Sequence, residues 1–292
     1  MTKKNVVAAF YSYKGGVGRT LNLVNTAAEL THKGYSVLVW DMDLEAPGIQ
    51  NISYFEEMSG DIHGGVVDVV LNFVENGCEI VNKKMIHRYI VTHPRNPKLH
   101  LFPAGNLTDE NEYSRKFSLI PWEELLLKKP QRGIELFMSI RDILLEKKTD
   151  FILIDPRNGY TGLGGICCFK LPEIVFLVFT YSNQNLMGMK GVFESFNNSE
   201  WLEKISSCPQ LKNYPVASMT LIDRPDTRRD QRETWSKFLP DTFKIYAEIP
   251  FNSHMIYKET VWRAEYPNDP FCDYYEPIAR ILETERQNIS RR

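Results

Sequence analysis

Lys14-Gly15-Gly16-Val17-Gly18-Arg19-Thr20 stands between an apolar run, Val6-Val7-Ala8-Ala9-Phe10 closed by Tyr11, and a helical pattern carrying Leu21, Leu23, Val24 and Ala27. A buried strand that feeds a helix through small residues lets backbone N–H groups converge on an anion. The following helix adds the positive end of its macrodipole. Two basic residues flank the glycines, and the Thr20 hydroxyl is the kind of oxygen that ligates magnesium. The junction therefore predicts a phosphate-binding loop spanning Lys14, Gly15, Gly16, Val17, Gly18, Arg19 and Thr20. It departs from the common P-loop template at two places, with Tyr13 where that template has glycine and Arg19 where it has lysine.

Lys14 is the diagnostic residue. The segment resembles the deviant Walker A ATPases of the ParA/MinD group, whose loop reads KGGxGKT with an extra signature lysine. It is most similar to the branch in which the second lysine is replaced, giving KGGVGR. The resemblance implies an ATP- and magnesium-dependent ATPase. It also implies a homodimer, because in that group the signature lysine reaches the nucleotide of the facing subunit. On this basis Lys14 has a catalytic as well as a binding role.

The continuous apolar runs support an α/β fold. Ser36 to Asp41, Leu99 to Phe102, Phe151 to Asp155, Ile174 to Phe179, Val216 to Ile222 and Phe243 to Ile249 read as strands. Val66 to Val74, Ile134 to Leu145 and Cys272 to Gln287 have helical spacing. Strands without polar alternation are those covered on both faces, so the expectation is a doubly wound, mostly parallel sheet with helices on both sides. No repeat or linker interrupts 1–292, which is read as a single domain; the polar, Pro-containing stretch 108–131 is read as an insertion.

Ligands of such sheets collect at the carboxyl ends of the strands, where Asp41, Asp43 and Asp155 stand. Asp155 closes four apolar residues, the pattern of an acid that holds magnesium; a helix or turn cap is the other role open to it. Asp41-Met42-Asp43-Leu44-Glu45-Ala46-Pro47-Gly48 resembles the first switch of the same ATPases. The resemblance places Asp41 near the attacking water, as a catalytic residue, and Asp43 beside the phosphates. The run from Pro156 to Gly165 is glycine-rich, as switch loops are. It keeps Arg157 and Gly159 of the branch's Asp-Ser-Arg-Thr-Gly, with Pro156 and Asn158 replacing Ser and Thr. Arg157 is open to a phosphate, a facing subunit or a surface ion pair. Ile249-Pro250-Phe251 resembles the Ile-Pro segment that borders adenine, which makes Pro250 a cofactor contact.

Composition excludes several classes. A net charge of −2 argues against a general polyanion binder. Arg224, Arg228, Arg229 and Arg232 interleave with Asp223, Asp226, Asp230 and Glu233, a pattern that favours a solvated helix, with contact to DNA as the other role open to it. Five cysteines without paired spacing fit a reducing cytosol, and adjacent Cys167 and Cys168 read as buried small residues rather than cluster ligands. The aromatic residues Tyr266, Phe271, Tyr274 and Tyr275 read as core or dimer contacts. No run approaches the about 20 apolar residues of a membrane span, and the N-terminus leads directly into a strand, so a cytoplasmic protein without a signal peptide is expected. The last helix, with Ile278, Ile281 and Leu282, is read as packing on the domain rather than lying on a membrane.

The expectation is an ATP-binding switch that dimerises on ATP, hydrolyses it slowly, and regulates or positions a protein partner. Slow turnover follows from Arg19, whose planar fork reaches differently from an ammonium. A non-hydrolysing regulatory subunit of a larger complex is the alternative, and a phosphate-transferring enzyme is a third for which no acceptor motif is evident.

Overall fold

The computed structural model describes residues 5–159, 161–208, 211–221, 225–240 and 243–290. The N-terminal segment 1–4, Tyr160, Ile222, Asp223, Arg224 and the terminal Arg291 and Arg292 lie outside the described residues. In chain order the strands are β1 (Val6–Tyr11), β2 (Val37–Met42), β3 (Val91–His93), β4 (Asn96–Phe102), β5 (Phe151–Pro156), β6 (Ile174–Phe179), β7 (Lys212–Thr220) and β8 (Ala247–Pro250). They form a sheet in the order β3-β4-β2-β5-β1-β6-β7-β8, parallel except where β3 pairs antiparallel with β4.

Alternation within each strand sends residues to opposite faces. Val7, Ala9 and Tyr11 of β1 join Trp40, Ile154 and Leu177 in one cluster, covered by the helices Val66–Glu75, Pro130–Leu145, Gly162–Phe169 and Asn183–Asn197. Val6, Ala8 and Phe10 join Val39, Leu153 and Phe176 in the other, covered by α1 (Arg19–His32) and the helix Glu276–Ser290. All six residues of β1, β2, β5 and β6 are buried. Each fully buried large aliphatic or aromatic side chain contributes about 1.5–3 kcal/mol over exposure, so these strands fix the centre of the molecule. The doubly wound, mostly parallel architecture expected from the sequence is the one observed.

α1 ends where Gly34 takes φ 96, with Tyr35 N–H bonded to the Leu30 carbonyl at 3.1 Å and Gly34 N–H to that of Thr31 at 3.0 Å. That double closure satisfies carbonyls left open at the helix end. Among the described residues, no helix is long and apolar enough to cross a membrane.

Several boundaries differ from the sequence reading. The expected strand over Phe243 to Ile249 is paired only from Ala247 to Pro250. Phe243 is instead packed between Phe179, Phe193 and Trp235, and satisfying that aromatic cluster takes its backbone out of the ladder. The closing helix starts at Glu276, after a separate turn over Pro270–Tyr274. The glycine-rich run is shorter than expected, because Thr161 caps a helix beginning at Gly162 by accepting from Gly164 N–H at 2.9 Å. The short strand β3 and the helix Asn183–Asn197 are absent from the sequence reading. The stretch 108–131 folds onto the body of the protein: the helix Glu110–Leu119 sends Tyr113 into the core, where its hydroxyl donates to the Leu44 carbonyl at 2.7 Å, and Leu125 is buried.

Gly65 sits where the helix Val66–Glu75 meets the end of β4. Val66 and Val67 N–H groups donate to the Pro103 and Ala104 carbonyls at 2.9 Å each. A β-carbon on Gly65 would lie 2.1 Å from the Pro103 oxygen, a backbone atom that cannot swing aside. Gly65→Ala is expected to cost about 1–3 kcal/mol, read as a lower denaturant midpoint at unchanged slope.

Candidate functional site

The carboxyl ends of β1, β2, β5 and β7 meet around the glycine loop. Gly16 and Gly18 adopt φ 73 and φ 78, a left-handed backbone that only glycine takes without steric cost. A β-carbon at Gly16 would meet nothing within 4 Å, whereas one on Gly15 would come within 2.6 Å of Asn158 Nδ2. The loop is thus open at Gly16 and covered at Gly15 by Asn158. Gly159 N–H donates to the Ser12 carbonyl at 3.1 Å, stitching the same two segments together. Val17 is buried in the core beneath α1. On the far side, Asn22 donates to Ser218 Oγ of β7 at 3.0 Å.

The first turn of α1 points its polar residues at the acids. Arg19 Nε donates to Asp155 Oδ1 at 2.7 Å, and Arg19 Nη2 donates to Asp43 Oδ2 at 2.9 Å. Thr20 Oγ1 donates to the other oxygen of Asp155 at 2.7 Å. Arg19 is 8% exposed and Asp155 2%. Desolvation works against the Arg19 charge, yet the charges and hydrogen bonds of Asp155 and Asp43 win and hold its pKa above the ordinary arginine value. Burial raises the Asp155 carboxyl; the charge of Arg19 and the hydrogen bonds from Arg19 and Thr20 oppose that rise. The structure therefore brings Arg19, expected on phosphate, onto the carboxylates, and brings Thr20 and Asp155, expected on magnesium, together.

Asp41 is 1% exposed and sits opposite Asp155 in the register of β2 and β5. Its Oδ1 accepts from the Asp43 N–H at 3.2 Å. Burial first, then the charges of Asp155 and Asp43, push its carboxyl well above the usual range. Lys14 lies at the rim, where Nζ donates to Gln184 Oε1 at 2.5 Å. Pro250 is buried at the end of β8, paired with Thr220 two residues past Ser218, so it shares the rim of the sheet with the glycine loop. Arg157 pairs with Glu45, joining the segment after β2 to that after β5.

Sequence reasoning missed Gln184, Asn158 and Ser218. The polar run Ser182-Asn183-Gln184-Asn185 directly follows β6, and the strand-end rule that exposed Asp155 applies to it equally. Other readings gain support. Cys167 and Cys168 are buried, and burial raises both thiols. Ile278 and Leu282 of the last helix are fully buried against the sheet, with Tyr275 beside them. Arg229 pairs with Glu233 at 3.0 Å on an exposed helix face; the side chains of Arg228 and Arg232, like Asp223 and Arg224, lie outside the described residues.

These features define a P-loop ATPase fold of the ParA/MinD type. The family model described as AAA domain matches residues 5–161, more than half of the chain and the part that carries the glycine loop and the acids, and the chain belongs to that family. Among solved structures it is similar to the septum site-determining protein MinD complexed with Mg-ADP from Pyrococcus horikoshii OT3, at 16% identity and TM-score 0.65 over 95% of this chain and 96% of that one. It is also similar to a plasmid partition protein from Borrelia burgdorferi, at 18% identity and TM-score 0.62 over 97% and 100% of the two chains. A third is cobyrinic acid a,c-diamide synthase from Mycobacterium smegmatis with bound ADP and magnesium, at 17% identity and TM-score 0.63 over 95% and 94%. No protein of curated function matches the sequence.

The donor set fits magnesium with a nucleotide. A hydroxyl and a carboxylate, hard oxygen ligands, stand together at Thr20 and Asp155. Beside them the loop has left-handed glycines and an open face at Gly16.

The acids give a pH-dependent prediction. A carboxyl whose folded pKa is raised binds its proton more tightly in the native state, so the stability it permits falls as pH rises from about 4 toward the folded value. Asp41→Asn is expected to raise the melting temperature of the nucleotide-free protein by a few degrees at pH 7.5, with the gain shrinking as pH falls to about 4. Calorimetric melting across that range checks it.

Proposed function

We propose that this chain is an ATP-dependent switch that binds ATP with magnesium, dimerises on it, and acts on a protein partner. The observation that carries the reading is the Thr20–Asp155 pair at 2.7 Å, set against a glycine loop that opens α1. In this reading Gly15, Gly16, Val17, Gly18 and Thr20 hold phosphates, with Thr20 and Asp155 on magnesium. Asp43 lies beside the phosphates and Pro250 beside the base. Bound magnesium supplies neutralisation of phosphate charge. Asp41 orients water; burial and the charges of Asp155 and Asp43 raise its pKa, and a cation brought beside it would lower it again. The relatives described as complexed or bound with ADP and magnesium support this choice of cofactor. A similar solved structure, the MinC:MinD cell division protein complex of Aquifex aeolicus at 16% identity and TM-score 0.62 over 96% of each chain, supports a protein partner. A cytoplasmic location and a single domain with an insertion at 108–131 complete the proposal.

Lys14 supports the dimer. Its described hydrogen bond is to a neutral amide at an exposed position, so re-aiming it toward a facing subunit breaks no ion pair. A charge-assisted contact across a dry interface contributes about 1.5–3 kcal/mol. Lys14→Ala is therefore expected to weaken dimerisation on a slowly hydrolysed ATP analogue about tenfold or more, while binding to the monomer changes less. Sedimentation measures the first and calorimetry the second. A wild type that stays monomeric at tens of micromolar with the analogue bound defeats the cross-subunit role.

Thr20→Ala tests the metal assignment. It is expected to weaken analogue binding in magnesium and to leave binding in a chelator nearly unchanged. Equal affinity of both proteins in both buffers removes Thr20 from the metal site.

The placement of Arg19 on two carboxylates favours a second reading, a regulatory subunit that binds nucleotide without turning it over. Steady-state phosphate release with candidate partners separates the two.

A further inference from the structure

Arg19 occupies groups that the metal needs. Both oxygens of Asp155 are taken by the chain's own donors: Oδ1 by Arg19 and Oδ2 by Thr20. The second arm of the same guanidinium is held by Asp43. Arg19 is nearly inaccessible, so water does little to weaken this clasp. A divalent ion approaching Asp155 meets a fixed positive charge and finds a donor already on each carboxylate oxygen. A lysine could not reproduce the arrangement, since one ammonium on a flexible stem lacks the fork that holds two carboxylates at once.

We propose that Arg19 is a resident cation guarding the metal acid. The guanidinium must leave Asp155 before a divalent ion can bind there, and once displaced it is free to turn to phosphate. Affinity for nucleotide itself, and not only turnover, then depends on the metal. Without a divalent ion, moving Arg19 away would leave the buried Asp155 and the partly buried Asp43 uncompensated, which opposes the arrival of further negative charge. Arg19 is in this sense a specificity-determining residue that selects the metal complex of a nucleotide over the bare anion. The idea rests on the ATP reading for its second half, whereas the guarding of Asp155 stands on the clasp alone.

The test uses the full chain and two variants, Arg19→Lys and Arg19→Gln. Mn2+ is titrated into nucleotide-free protein and followed by electron paramagnetic resonance. Its affinity is expected to rise from wild type to Arg19→Lys by about tenfold, and further in Arg19→Gln, where no positive charge remains. A purely structural Arg19 predicts the opposite, since a loosened site binds metal less well. In parallel, affinity for a slowly hydrolysed ATP analogue is measured with magnesium and with chelator. Wild type is expected to lose about 100-fold without metal, the scale of a buried charge stripped of its partner, and Arg19→Lys clearly less. Should Arg19→Lys misfold, Arg19→Gln carries the Mn2+ comparison, with thermal melting as the control for folding. Mn2+ affinities that are equal in all three proteins, or lower in the variants, overturn the guarding role even if ATP binds. If the wild type binds no analogue in either buffer, the ATP reading fails, and the Mn2+ series still decides the clasp.

Discussion

One guanidinium, Arg19, balances two carboxylates that the sheet brings together, and the site is built around that balance. β5 lies between β2 and β1. Asp155 at its end is therefore flanked by Asp41 at the end of β2 and Asp43 just past it on one side, and by the loop following β1 on the other. Adjacent strands lie about 4.8 Å apart, so Asp41 and Asp155, paired in register, are close enough to repel strongly if both are charged. Burial excludes the water that would relieve this. The chain answers twice: a cation enters from the first turn of α1, and the pKa of Asp41 rises so that its neutral form is favoured. Removing either answer would leave uncompensated charge in an apolar setting, which is among the costliest single changes a fold can suffer.

The same charges tie three loops into one unit. The glycine loop reaches both acids through Arg19 and Thr20. Asn158 and Gly159 touch it at Gly15 and just before it at Ser12, and Arg157 beside them is joined through Glu45 to the segment after β2. Tyr113 adds a bond from the helix Glu110–Leu119 to Leu44 of that segment. A change in what Arg19 holds is therefore felt along a chain of direct contacts. That is a physical connection between site and surface.

The parts legible in the sequence were those with local signals. Apolar runs without alternation announced β1, β5 and β6 nearly to the residue, because strands buried on both faces leave no polar positions. The glycine loop and Asp155 followed from spacing. What stayed hidden depended on distant partners. Phe243 looks like a strand residue until Phe179, Phe193 and Trp235 claim it. The run after Asp155 looks like a long loop because its glycines mask a helix capped by Thr161. Arg19 was legible as a cation at the right place, but its choice of carboxylates depends on a register between β2 and β5 that no local pattern encodes.

The two basic residues of the loop stand in opposite physical situations, and this shapes how the site can respond to an anion. Arg19 is buried and bound to two acids, so turning it toward phosphate requires breaking contacts that are strong because they are dry. Lys14 is half-buried and bonded at the surface to the neutral amide of Gln184, so its redirection breaks no ion pair, and the helix that carries Gln184 need not move. An arriving anion therefore meets Lys14 first as an available charge, and engages Arg19 only when a second cation compensates Asp155. An arginine at this position makes the first event easy and the second conditional. Two loop cations of the same formal charge thus respond at different thresholds, because one is held by a neutral amide at the surface and the other by two acids in the core.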